Sequence, residues 1–187
     1  MCALCGAPTV WPVSRCRECT GRRLAFASAR AAVVYAGPAR ALVAAWKERG
    51  LRRAASLAGE LLAEAVERPA ADVITYIPPD PNRLLRRGHH PAERLARELG
   101  MRWGLDAAPL LARRPGAPRP RQAELERSDR LRNVRDAFVA DSGAHGAVVL
   151  VDDVYTTGAT VAAGAAALRR AGSARVDVVT FARTVRV

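Results

Sequence analysis

Residues 148–160 read Val148-Val149-Leu150-Val151-Asp152-Asp153-Val154-Tyr155-Thr156-Thr157-Gly158-Ala159-Thr160. With Ala147 the first part is an unbroken apolar run, the pattern of a central parallel strand covered on both faces. Two carboxylates follow it, then a Thr-Thr-Gly turn, then a segment over roughly 158–171 that reads as a helix. The first N–H groups of a helix lack intrahelical partners, and the helix dipole makes that end positive. An anionic phosphate suits such an end. Gly158 admits close backbone approach, and Thr156, Thr157 and Thr160 add hydroxyl donors around Ala159. Asp152 and Asp153 can accept hydrogen bonds from a sugar diol, directly or through a cation. The plainer reading is an Asp-Asp turn with Thr156 or Thr157 as an ordinary helix cap. The conjunction of acids, turn and buried strand favours a ligand site.

Working outward, 175–182 reads as a last strand and 73–77 as another, closed by Pro78-Pro79. A further strand over 31–36 ends at Gly37-Pro38. Residues 39–49 then suit a helix with Leu42, Val43 and Trp46 on one face and Gly50 as its stop. A second helix is expected to bury Leu57, Leu61, Leu62 and Ala65 and to end before Pro69. Residues 83–90 read as a basic loop. A helix over 92–99 turns Ala92, Leu95, Ala96 and Leu99 inward, with Gly100 as its stop. Residues 113–128, rich in Arg and Pro, read as a loop that is either a lid or an exposed connection. Alternating short strands and helices in 187 residues, half of them hydrophobic, predict an α/β fold with a parallel sheet.

The formal net charge is +12, and Lys47 is the single lysine among 30 basic residues. So basic a surface attracts phosphate groups of any origin, without choosing among them. No apolar run approaches the roughly 20 residues that cross a bilayer, and no secretory leader is visible, so a cytoplasmic protein without membrane insertion is expected.

The four cysteines form two pairs, Cys2-x-x-Cys5 and Cys16-x-x-Cys19. In a reducing compartment such pairs are read as metal ligands rather than disulfides. Four thiolates suit a tetrahedral Zn²⁺ with no open position, hence a structural one. The ten intervening residues are fewer than in a typical zinc ribbon, and redox-active or inert thiols are the other reading. Residues 1–25 are expected to form this head and 26–187 the main domain.

The Asp-Asp…Thr-Thr-Gly-Ala-Thr segment resembles the phosphoribosyl-diphosphate loop of type I phosphoribosyltransferases. That resemblance implies ribose binding by Asp152 and Asp153, and 5′-phosphate binding by Thr156 through Thr160, with Mg²⁺ accompanying the diphosphate. Many purine-type relatives have an acid where Thr156 stands, which argues against a purine-base acceptor. With the cysteine head, the whole chain resembles the ComF family, named for bacterial competence for DNA uptake. The matching pieces are Tyr35-Ala36-Gly37, Trp46-Lys47-Glu48-Arg49-Gly50, Ile77-Pro78-Pro79 and Arg86-Arg87-Gly88, then Gln122, Arg130-Leu131-Arg132-Asn133 and Ala137-Phe138. Family members continue Arg-Gly with Phe-Asn-Gln, whereas this chain has His89-His90-Pro91.

Diphosphate binding by Lys47, Arg86 and Arg87 is the functional reading of these cations; a solvated basic loop is the other. The two histidines are expected at the surface, and Gln122 and Arg130 are weaker site candidates. Three functions are compatible with these features. One is transfer of ribose 5-phosphate to an acceptor, with no catalytic base identified. Another is a non-catalytic accessory of DNA uptake, touching single-stranded DNA through Arg15, Arg17, Arg22, Arg23 and the arginines of 113–135, and meeting other uptake proteins. The sequence lacks the interleaved aromatics that stack bases. The third is a module that senses phosphoribosyl diphosphate without chemistry.

Overall fold

A computed structural model describes residues 1–115, 137–140 and 146–185, apart from the side chains of Glu48, Arg49, Arg52 and Arg83. Gln122, Arg130, Asn133 and most of the 113–128 stretch lie outside the described residues. The elements run β1 (Ser28–Val34), α1 (Gly37–Arg49), α2 (Arg52–Ala65), β2 (Val73–Tyr76), α3 (Pro81–Arg87), α4 (Pro91–Trp103), β3 (Leu111–Arg113), β4 (Phe138–Ala140), β5 (Gly146–Tyr155), α5 (Ala159–Arg170) and β6 (Ser173–Arg183). Four strands form a parallel sheet in the order β1-β6-β5-β2, and β3 pairs with β4 antiparallel. This is the α/β parallel-sheet architecture expected from the alternation of elements.

The sheet is covered on both faces, and its strands show why. Val148 and Leu150 of β5, with Val176 and Val178 of β6, enter one core beside α5, Phe138 and three of the cysteines. Their neighbours Val149, Val151, Val179 and Phe181 enter the other core, against Trp46, Leu62, Leu95 and Leu99 from α1, α2 and α4. A strand with both alternate rows buried must be apolar throughout, which is the run seen at 147–151.

Helix ends follow local chemistry. Pro lies in the first turn of both α1 and α4, where its missing N–H costs nothing. Gly50 ends α1 at φ 63°, as expected. Three expectations are corrected. Gly100 does not stop α4; the helix continues to Trp103 and ends at Gly104, with φ 64°. Gly100 is instead a contact residue, since a Cβ there would sit 2.6 Å from the Leu105 carbonyl oxygen. The 83–90 stretch is not a loop throughout, because Asp80 accepts the Asn82 N–H at 3.0 Å and starts the short helix α3. In α2 the buried row is Ala54, Ala55, Ala58 and Leu62, while Leu57 remains 45% exposed. The neighbouring helices approach along the alanine row, where small side chains let backbones come close.

Candidate functional site

The site lies where two connections part. From β5 the chain crosses to α5 on one face of the sheet, and from β2 it crosses to α3 and α4 on the other. Adjacent parallel strands with opposite crossovers leave a crevice beyond their carboxyl ends. Pairing between β2 and β5 ends at Tyr76 and Val151, while β5 continues beside β6 to Tyr155. Asp152 and Asp153 are therefore still strand residues, held by β6, yet past the end of β2. Strand geometry sends their side chains to different sides.

A cleft of about 230 Å³ opens there, lined by Lys47, Pro78, Pro79, Asp80, Arg87, His90, Arg113, Asp152, Asp153, Thr156 and Thr160, among others. Lys47 Nζ lies 2.8 Å from Asp153 Oδ2. The Asp153 N–H donates to Asp152 Oδ1 at 2.9 Å. Removal from water pushes the Asp152 carboxyl up to about 7, and the Asp153 charge adds to the rise. Lys47, the Asp153 amide and Arg113 pull the other way. Asp152 is thus a carboxylate short of donors, a fitting partner for diol hydroxyls or a cation. A more open groove of about 930 Å³ runs beside α4 along Arg94, Arg97, Met101 and Asp106, but it contains none of the candidate site residues.

The turn after β5 is shaped from beneath. Gly158 has φ 71°, and a side chain there would collide with the Tyr155 hydroxyl. Thr157 Oγ1 accepts the Ala159 N–H at 3.3 Å, so its hydroxyl serves the helix start, the plainer of its two expected roles. Ala159 is buried. Thr156 and Thr160 face the cleft, while Thr157, Gly158 and Ala159 form the turn behind them. The loop is also held from outside: Thr184 donates to the carbonyls of Tyr155 and Thr156 at 2.9 and 3.2 Å, and Arg22 to that of Thr157 at 3.2 Å.

Of the expected cations, Lys47 and Arg87 reach the cleft; Arg86 is exposed and absent from its lining. The histidines are not surface residues. His89 is 8% exposed, and its two ring nitrogens face the carbonyl oxygens of Arg87 and Trp46, each at 2.8 Å. It therefore ties the residue preceding Lys47 to the backbone of Arg87, bracing both cations. His90 lines the cleft, with Nε2 3.0 Å from the Ile77 carbonyl and Nδ1 3.4 Å from Glu93 Oε2. Burial lowers its basicity despite Glu93. Arg113 lines the cleft, whereas the sequence groups it only with the arginines of 113–135 as a nucleic-acid contact. Its Nε donates to the Pro79 carbonyl at 2.9 Å, and its guanidinium lies 5.0 Å over the Phe138 ring. An arginine in a short edge strand carries no local mark of such a position.

At the other end of the chain, the four cysteine Sγ atoms lie within 4.8 Å of one another. Zn–S bonds of about 2.3 Å imply a tetrahedral edge of about 3.8 Å, and Cys5 Sγ lies 3.6 Å from Cys16 Sγ. Burial works to raise the Cys2 thiol, but backbone donors from Cys5, Cys16 and Leu4 overcome it and bring it down to about 6. Burial and the neighbouring Cys5 and Cys16 push Cys19 well above the usual thiol range. Ionising all four at this spacing requires a cation between them, so the group fits a thiophilic metal such as zinc. The cysteines share one core with Phe26, Tyr155 and Val148. Ala29 donates its N–H to the Leu4 carbonyl at 2.7 Å, seating the head on the edge strand β1.

No family model matches the chain. Curated relatives do. DNA utilization protein YhgH of Salmonella typhi is 32% identical, over 99% of this chain and 85% of its own length. The Escherichia coli K12 protein of the same name is 30% identical over the same shares. Solved structures overlay more loosely. A glutamine phosphoribosylpyrophosphate amidotransferase from B. subtilis, complexed with ADP and GMP, overlaps 69% of this chain and 26% of its own at 26% identity and TM-score 0.47. An adenine phosphoribosyltransferase from Thermoanaerobacter pseudethanolicus overlaps 72% and 83% at 18% identity and TM-score 0.47. Identity of 30–32% along 99% of the sequence, with the cysteine pairs and the Asp-Asp…Thr-Thr-Gly segment in place, means that the chain belongs to the ComF family of YhgH-like DNA utilization proteins.

Proposed function

We propose that this chain binds phosphoribosyl diphosphate in the cleft between β2 and β5, and serves DNA utilization as its relatives' name describes. The observation that carries the reading is the meeting of Asp152, Asp153, Lys47, Arg87, Thr156 and Thr160 in one cleft at a crossover switch. Asp152 and Asp153 would accept the ribose hydroxyls. Thr156 through Thr160, at the positive end of α5, would hold the 5′-phosphate. Lys47 and Arg87 would face the diphosphate, with Arg86 joining only through movement of its exposed side chain. Mg²⁺ bound to the diphosphate supplies charge neutralisation of a leaving group.

Transfer of ribose 5-phosphate is the chemistry such a site serves. Loss of diphosphate leaves positive charge at the ribose C1, so the protein's share is positioning and electrostatic stabilisation. The cleft offers cations for the departing group. His90 lines the cleft, and burial lowers its basicity. Residues 1–25 would act as a metal-holding head and 26–187 as the ligand-binding domain.

Calorimetric titration of phosphoribosyl diphosphate with Mg²⁺ tests the reading. Saturable binding by the wild type, lost in an Asp152→Asn/Asp153→Asn double variant, is expected. Absence of binding by folded, metal-loaded wild type would rule it out. Diphosphate release with an added base then separates an enzyme from a sensing module.

A further inference from the structure

The cysteine head and the phosphate loop are far apart in sequence but share two arginines. Arg22, three residues after Cys19, donates through Nη1 to the Thr157 carbonyl at 3.2 Å. Its Nη2 is buried with no hydrogen-bond partner. Arg183 closes the circuit from the last strand. It is 5% exposed, donates through Nη1 to the Cys5 carbonyl, and places its guanidinium 5.0 Å over the Tyr155 ring. The Tyr155 hydroxyl in turn lies directly beneath Gly158. One arginine thus grips the back of the loop, and the other sets the ring that supports its glycine.

Charge explains why these should be arginines. A Zn²⁺ held by four thiolates leaves the head with net charge −2. Arg22 and Arg183 bring two positive charges into a partly dry region on the head's inner side. Without a metal nothing ties the two cysteine pairs together, so the Cys5 carbonyl that Arg183 grips and the turn after Cys19 that carries Arg22 lose their fixed positions.

We propose that Arg22 and Arg183 are positioning residues that couple metal occupancy of the head to anion binding at 156–160. Filling the four-cysteine site fixes the Cys5 backbone and the turn that carries Arg22, and through Arg183 and Arg22 holds the Tyr155 ring and the Thr157 carbonyl where the loop accepts a phosphate. Stripping or oxidising the head slackens the loop without touching the cleft itself. This rests on the phosphate-binding reading above only for its ligand, since the head–loop coupling exists with or without one. Linkage makes the effect reciprocal: an anion in the loop tightens the metal by the factor by which the metal tightens the anion.

The test uses the full chain, metal-loaded, with ribose 5-phosphate as probe. Arg22→Met removes the grip on Thr157 while leaving all four cysteines. The variant should keep one zinc per chain. Its amides at 156–161 should exchange with deuterium about tenfold faster than in wild type, with those of β2 and α4 unchanged. Its affinity for ribose 5-phosphate should fall about tenfold, within the usual range of coupling between sites. Chelator-treated wild type should show the same loop exchange. Loop exchange equal to wild type in the variant would overturn the coupling. So would equal exchange in metal-free protein whose β2 and α4 amides stay protected. If ribose 5-phosphate binds no form of the protein, the ligand reading fails, and loop exchange alone decides the coupling. Should the methionine variant not fold, Arg22→Gln, which stays polar but is too short to carry the donor of Nη1 to the Thr157 carbonyl, is read the same way.

Discussion

Lys47 Nζ reaches Asp153 Oδ2 at 2.8 Å, joining the end of α1 to the carboxyl end of β5 across 106 residues of sequence. The pair closes one wall of the cleft, with the ammonium 25% and the carboxylate 16% exposed. Trp46, fully buried beside it, fixes where the lysine emerges. A pair this accessible contributes little to folding, because water screens it. On the proposed reading, the pair holds a cation ready for an incoming phosphate.

Lys47→Met should therefore separate binding from stability. Affinity for Mg²⁺-phosphoribosyl diphosphate is expected to drop at least about tenfold, equivalent to ~1.4 kcal/mol, while unfolding free energy changes by less than about 1 kcal/mol. Calorimetry and urea unfolding on the same preparation check both.

Asp152 gives a pH dependence of definite sign. Its folded value is raised to about 7 by burial and by Asp153, against an unfolded value near 4. Between those values the folded chain holds more protons than the unfolded one. The contribution of this group is fully present below pH ~4 and is lost as pH rises through ~7. Asp152→Asn should flatten that slope and stabilise the ligand-free protein at pH 8 by on the order of 1–3 kcal/mol. The same variant should lose ligand binding. Unfolding curves at pH 5 and pH 8 would reveal a parallel pH slope in the two proteins if the group does not behave this way.

Gly158→Ala should be damaging beyond its one methyl. The residue has φ 71°, and its neighbour space is filled by the Tyr155 hydroxyl. Left-handed backbone and overpacking together predict a cost of about 2–4 kcal/mol. Pairing it with Tyr155→Ala should return part of that loss, because the added Cβ meets the ring carbon Cζ as well as the hydroxyl. A double-mutant cycle in urea measures the recovery, and strict additivity would mean the two do not meet.

His89→Phe installs the family's usual residue and removes both bridges, to Trp46 and to Arg87. Losing the buried ring N–H donor, and leaving both carbonyls against an apolar ring, should cost about 1–3 kcal/mol. Ligand affinity should fall as well, because Lys47 and Arg87 lose their shared brace. Unchanged affinity in a folded variant would assign His89 a purely structural role.

Much of this protein is legible along the chain. The apolar run before Asp152 announces a doubly covered strand, and that is β5. The Gly-Ala-Thr start of α5 and the cysteine spacing are likewise local patterns, and each is realised in place. Gly100 misleads because glycine after an apolar helix face is usually a stop, whereas here it makes room for the Leu105 carbonyl. Leu57 misleads because hydropathy marks a residue as able to be buried, not the row that its neighbours reach.

What the sequence by itself determined was therefore whatever depends on a residue's near neighbours: the parallel strand, the helix start beyond it, the α/β alternation and the four-thiol head. Only the tertiary structure decided which distant groups meet. It admitted Lys47 and Arg87 to the cleft and left Arg86 outside, drew His89 and His90 inward, brought in Arg113, and linked the head to the loop through Arg22 and Arg183. The reason is physical. Periodicity and capping act within a few residues of one element, but the cleft exists only after α1, β2 and β5 have packed, and a side chain's charge carries no information about that packing.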